Sequence, residues 1–175
     1  SLTIPANASL TLGTNDHTIE FWLYQTSRNQ YAVSFSYGNT SYFATNNYFL
    51  DVGQVEHGQV VVGNGAGGWA ININVVRPTS LNVWNHYAVV RNGTTFTVYI
   101  NGTSIGSATS SINITAQGDV FRIGNSTTYP IAGYISNFRL VNGTAVYTSN
   151  FTPPTSPLTA CLLYTSDAAD EEDSV

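Results

Sequence analysis

An all-β chain folded as an antiparallel, two-sheet β-sandwich is what this 175-residue sequence predicts. Three observations carry that expectation. Runs rich in Val, Ile, Thr, Tyr and Phe follow one another at short spacing, and such residues fit a pleated, half-buried surface. Clusters of Gly, Asn, Thr and Ser separate the runs, as at Gly13-Thr14-Asn15-Asp16, Gly38-Asn39-Thr40 and Arg77-Pro78-Thr79. Apolar residues at helical spacing are almost absent. Many short strands joined by tight turns in a chain of this length indicate a sandwich or barrel.

The strands are expected at Leu2–Ile4, Leu10–Leu12, Thr18–Gln25, Tyr31–Tyr37, Tyr48–Val52, Gln59–Val62 and Trp69–Val75, then at Asn85–Arg91, Thr95–Ile100, Ser104–Ala108, Val120–Ile123 and Ile131–Val141. The strongest local signal runs from Trp84 to Thr109. Asn92-Gly93 and Asn101-Gly102 there separate three runs of alternating character, and Asn-Gly tolerates the positive φ of hairpin turns. Trp84, His86, Ala88 and Val90 share one face of the first run; Tyr87, Val89 and Arg91 share the other. Phe21, Trp84, Val90, Val98 and Ile135 are the expected core, with Trp22 beside them.

The sandwich is expected over residues 1–152. The Pro/Thr/Ser-rich stretch 153–160 reads as its end or a linker, because proline removes backbone donors and enforces extended conformations. Residues 161–175 are of another kind. Their first eleven, Cys161 to Glu171, are similar to the translation of a transposon-based sequencing adapter, so this tail is expected to be non-native and to lie outside the fold.

Charge follows the same division. The chain has 5 Lys+Arg against 10 Asp+Glu, a net charge of −5. Asp167, Asp170, Glu171, Glu172 and Asp173 fall in the tail, which leaves the body near neutral. There is no Lys, and the five Arg form no basic stripe, which argues against nucleic acid binding. The one cysteine, Cys161, is also in the tail, so the body has no disulfide framework or thiolate site. No run of ~18 apolar residues is present, so no membrane span is expected.

Four words in order resemble the laminin G-like domain, the concanavalin A-like lectin/glucanase sandwich. They are Thr18-Ile19-Glu20-Phe21-Trp22, the Trp84–Gly102 meander, Arg122-Ile123-Gly124-Asn125, and the stretch from Gly133 to Pro154. The last resembles versions of the domain in bacteriophage and environmental bacterial surface proteins. The resemblance implies a concanavalin A-like jelly roll, in a larger extracellular or virion-surface protein. It also implies a lectin, adhesion module or sugar-cleaving enzyme, and the residues must decide among these.

Catalysis lacks its residues. Glucanases of this sandwich use a strand word Glu-x-Asp-x-x-Glu, which sets nucleophile and general acid ~5–5.5 Å apart in retaining enzymes. Here Glu20 has no acid within two residues, and Asp51 and Glu56 are separated by an odd number. His17, His57 and His86 stand in no HExxH or triad-like context. The expectation is no enzyme, with these polar groups solvated or hydrogen-bonded. A Ca²⁺ ion at a sheet rim is implied by the resemblance; Asp16 with Asn15, or Asp119, would be its ligands, although Asp and Asn also simply cap turns. Sugar binding would use aromatic faces ringed by amides. Tyr42, Tyr129 and Trp69 sit in or beside turns and are the candidate ligand-binding residues, with a glycan or cell-surface polysaccharide as partner. Trp69 shares parity with Ile71 and Ile73, which also fits a core position. The eight Asn-x-Ser/Thr words coincide in part with hairpin turns and are a product of composition as much as of glycosylation.

Overall fold

Among its described residues, a computed structural model of the chain contains eleven strands and one short 3₁₀ turn at Ala8–Leu10. It describes residues 1–38, 48–52, 58–64, 68–76, 78, 80–115, 120–125 and 129–158. The strands are β1 (Leu2–Ile4), β2 (His17–Ser27), β3 (Val33–Gly38), β4 (Tyr48–Asp51), β5 (Gly58–Gly63), β6 (Trp69–Val75), β7 (Trp84–Asn92), β8 (Thr95–Ile100), β9 (Thr103–Thr109), β10 (Val120–Ile123) and β11 (Ala132–Asn142). They form two antiparallel sheets, ordered β1-β10-β3-β4-β5-β6 and β11-β2-β7-β8-β9. The predicted all-β, antiparallel two-sheet sandwich is the observed architecture.

Alternation decides which side chains meet between the sheets. Ile19, Phe21 and Leu23 of β2, Tyr87 and Val89 of β7, and Phe96 and Val98 of β8 face Phe35, Tyr48, Leu50, Val60, Val62 and Phe121 of the opposing sheet, all buried. Aromatic rings tie the layers together. Phe21 meets Phe35 at 6.4 Å, Phe138 meets Phe121 at 5.6 Å and Phe96 meets Tyr48 at 6.2 Å, centroid to centroid. Such contacts add to the hydrophobic gain of burial itself.

Both hairpins of the meander form. In β8–β9 the two-residue loop is Asn101-Gly102, with φ of 50° and 78°. In β7–β8, Asn92 pairs with Thr95, so the loop is Gly93-Thr94 rather than Asn92-Gly93; the positive φ of 60° falls on Gly93. Two other expectations fail. Leu10–Leu12 is not a strand: Leu10 closes the 3₁₀ turn, and Leu12 drops into the core beside the isolated Gly13–Ile114 bridge. Tyr31 precedes β3 with φ of 62°, a left-handed conformation that ends the extended run.

The sheet of β7 is covered on both faces, and this overturns the core expectation for two tryptophans. The chain beyond β11 returns as a strap, residues 143–153, across the outer face of β2, β7 and β8. Thr18 Oγ1 donates to the Thr144 carbonyl and accepts from Val146 N, and Phe151 N donates to the Gly102 carbonyl. Tyr147 and Phe151 stack 3.5 Å apart, and Ala145, Tyr147 and Phe151 pack on Ala88, Val90 and Tyr99. Val90 is therefore buried, but beneath the strap. Trp84 lies at the uncovered end of the same outward row and is 45% exposed. Trp22 also faces outward and is half-buried, edge-on to His86. Phe21 and Val98 are buried as expected, and Ile135 is half-buried.

Candidate functional site

Two of the sequence-predicted residues, Tyr129 and Trp69, fall among the described residues. Tyr129, in the β10–β11 connection, is 38% exposed and meets Tyr31 of the β2–β3 loop edge to face, ring centroids 5.5 Å apart. Backbone contacts fix the pair at one end of the sandwich: Val33 N donates to the Tyr129 carbonyl and Ala32 N to the Asn29 carbonyl. Trp69 opens β6. A bulge between Val62 and Gly63 breaks the parity that linked it to Ile71 and Ile73. It packs on Phe49, Val61 and Val33, outside the main core, and stays half-buried. On the outward side of β5 and β6, Gln59 Nε2 donates to Asn72 Oδ1 at 2.8 Å and Asn74 Oδ1 at 3.3 Å, an exposed amide row on the sheet face that carries Phe49 and Val61. Tyr42 lies outside the described residues.

A larger aromatic surface was not among the predicted sites. On the outer face of the five-stranded sheet, Tyr134 of β11 pairs across to Tyr24 of β2, and Tyr24 pairs across to Trp84 of β7. The ring centroids are 6.0 and 5.4 Å apart. Tyr134 is 65% exposed, Trp84 45%, and Tyr24 half-buried between them. Sequence spacing shows only that each residue faces outward or inward along its own strand. The row exists because strands distant in sequence become neighbours in this register.

The polar cluster beneath the strap decides what Glu20 does. Its carboxylate is buried and accepts from Arg139 Nε at 2.8 Å, from Arg139 Nη2, from Tyr147 Oη at 2.8 Å and from His86 Nε2 at 3.1 Å. Burial pushes the Glu20 pKa up, but the bonds from His86, Arg139 and Tyr147 outweigh it and hold the carboxyl below its ordinary value. Burial, then Glu20 itself, pushes the Tyr147 phenol up to about 12. With Nε2 donating, His86 presents its buried Nδ1 as an acceptor with no partner. The cluster joins β2, β7, β11 and the strap. It offers no second carboxylate for acid–base work, since Asp51, also buried, belongs to the other sheet.

At the opposite end Arg91 is buried and donates to the carbonyls of Gly13, Ile112 and Gly93, with its guanidinium over the Phe96 ring. Beside it His17 is enclosed by Tyr48 and Phe96. Its pKa is lowered to about 4, chiefly by burial and also by Arg91, against the opposing effects of the Asn15 carbonyl and Asp16. The rim residues considered for Ca²⁺ are engaged locally. Asp16 Oδ1 accepts from Gly93 N at 2.6 Å, and Asn15 Nδ2 donates to Asn142 Oδ1. Among the described residues no group of three His, Cys, Asp or Glu side chains could hold a metal ion. The donor set there does not fit the six to eight oxygens that Ca²⁺ takes. Asp119 lies outside the described residues. Among the described residues no helix is long and apolar enough to cross a membrane.

Comparison with solved structures finds the same sandwich in proteins of low sequence identity. The carbohydrate-binding module CBM40 of the Ruminococcus gnavus IT-sialidase, bound to α2,3-sialyllactose, superposes with a TM-score of 0.64 at 18% identity, over 81% of this chain and 82% of that one. Domain 4 of a GH43 extracellular arabinanase from Geobacillus stearothermophilus, in complex with arabinotriose, gives 0.56 at 20% identity, over 75% and 62%. Domains LG4-5 of the mouse laminin α1 chain give 0.57 at 15% identity, over 88% of this chain and 47% of that pair. The chain thus spans less than two thirds of the arabinanase domain's length. No curated protein sequence matches it. At these identities the likeness is one of fold. The sequence itself matches the laminin G-type family model over residues 1–146, and the chain belongs to the concanavalin A-like lectin/glucanases superfamily.

Proposed function

We propose that the chain is a non-catalytic glycan-binding or adhesion module of a larger protein displayed at a cell or virion surface. The observation that carries this reading is the exposed Tyr31–Tyr129 pair, held on two rim loops by backbone hydrogen bonds. Tyrosine offers an apolar face for a pyranose ring and a phenol for its hydroxyls, at low cost in side-chain entropy. The half-buried Trp69 is a further candidate contact. The engagement of Glu20 by three partners supports a binding role over hydrolysis. A structural or protein-interaction role without sugar affinity is the competing reading, and an accessory domain of a glycosidase a third.

A glycan-array screen of the chain tests the proposal. Binding that Tyr31→Ala or Tyr129→Ala weakens, with the melting temperature unchanged, is expected. Array signals indifferent to both, and to Tyr42→Ala and Trp69→Ala, would remove the rim aromatics from the site. A blank array would favour the protein-interaction reading.

A further inference from the structure

We infer that the Trp84–Tyr24–Tyr134 row is a second binding platform, and that its ligand is an extended chain of neutral pyranose sugars lying across the strands. The inference rests on the reading of the chain as a glycan binder but concerns a different face from the rim loops.

The chain's own strap makes the row stand out. It seals the outer face of this sheet over Glu20, Ala88, Val90 and Tyr99. The ring of Phe151 lies against His86. The next outward-facing row holds Trp84, which is left 45% exposed, and Tyr134 on the same row is 65% exposed. Folding therefore covers the apolar part of this face and leaves its largest aromatic side chains in solvent. Isolated exposed apolar residues are ordinary, but three aromatics in one register across three strands form a patch.

Charge and shape select the ligand class. The exposed side chains beside the row on this face include Thr26 and Ser136, with the half-buried Trp22 between them; none of these three carries an ionisable group, and His86, next to Trp84 along β7, is buried against Phe151. Nothing in this patch complements a sialic acid, a uronic acid or a phosphate. Arg139, the nearest cation along β11, is committed to Glu20. Rings, hydroxyls and an indole N–H suit a ligand that presents C–H faces and hydroxyls together. Centroid steps of 5.4 and 6.0 Å are about the advance of one pyranose ring in an extended chain, so the row favours a polymer over a single sugar. Two sites on one small domain would also raise avidity for a repetitive polymer.

The test is affinity electrophoresis of the full chain through gels cast with a mixed-linkage β-glucan, a xylan, an arabinan or a mannan, with polygalacturonate as the charged comparison. Retardation in at least one neutral gel is expected. Trp84→Ala and Tyr134→Ala should each weaken it about tenfold, with unchanged melting temperatures because both side chains are exposed. Tyr134→Phe, which keeps the ring, should retain most of the affinity. Retardation that survives Trp84→Ala and Tyr134→Ala but is lost in Tyr31→Ala and Tyr129→Ala would overturn the platform and leave the proposed function standing at the rim. Retardation in polygalacturonate alone would overturn the neutral class. No retardation in any gel would overturn the platform; the glycan array then decides separately whether the function fails with it.

Discussion

Acidification should destabilise this domain through one buried histidine, before its carboxylates titrate. His17 is enclosed at the end of the core by Tyr48 and Phe96. Its Nδ1 lies 3.1 Å from the Asn15 carbonyl and its Nε2 3.4 Å from Tyr48 Oη. The charged groups that face it are Arg91, which opposes its protonation, and Asp16, which favours it. Burial dominates, and the folded-state pKa falls from 6.5 to about 4. The sign follows: below pH 6.5 the unfolded chain takes up a proton that the folded chain refuses, so stability falls as pH drops from 6.5 and levels off below about 4. At about 1.4 kcal/mol per pH unit, the loss amounts to about 2 kcal/mol at pH 5 and about 3 kcal/mol at pH 4. Urea unfolding, followed by tryptophan fluorescence between pH 7 and pH 4, measures it. With an m-value of roughly 2 kcal/mol per molar, the midpoint should fall by about 1 M between pH 7 and pH 5. His17→Gln cannot ionise and should flatten this limb, while stability below pH 4.5 continues to fall. Equal wild-type midpoints at pH 7 and pH 5, or the same slope in His17→Gln, would refute the reasoning.

The cluster under the strap makes its own predictions. Glu20→Gln strips Arg139 of its ion partner and should cost about 2–4 kcal/mol in denaturant unfolding. Tyr147→Phe should cost about 1 kcal/mol, and the double variant should lose less than the sum, because both act on one network. The Glu20 carboxyl is held below its ordinary 4.5, so its contribution is fully present above that pH and fades as pH falls through the depressed value. Glu20→Gln should remove that acidic limb, and an unchanged acid profile would show that the cluster contributes nothing. Gly102→Ala combines a φ of 78° with a Cβ that would overlap the Phe151 carbonyl oxygen, whereas Gly93→Ala, with φ of 60°, meets open space. Gly93→Ala should cost about 1 kcal/mol, and Gly102→Ala clearly more; equal losses in thermal melts would mean that the strap yields without cost.

Local patterns made much of this fold legible. β6, β8 and β10 have the predicted limits, since each is a short β-branched or aromatic run between turns. Glu20 was isolated by spacing alone, and it is a hydrogen-bonded group, as its context suggested. What local pattern cannot carry is a third layer. His86 through Arg91 are all buried, so alternation could not say which face of β7 meets the core. Trp84 was misplaced for that reason. Trp69 was obscured by a bulge, which shifts parity by one residue without a sequence mark of its own. The aromatic row depends on the sheet order β11-β2-β7, which no single stretch encodes.

The strap has a consequence for where this domain may be cut. The family match ends at residue 146, yet Tyr147 and Phe151, the two stacked rings that clasp Tyr99, come after it. A protein ended at the family boundary would keep every strand and lose its buckle. Ala88, Val90 and Tyr99 would then face water beside Glu20, stripped of its phenol donor. Such a fragment should be sticky and less stable while still showing a full β-sheet spectrum, a combination easily mistaken for a ligand-hungry surface.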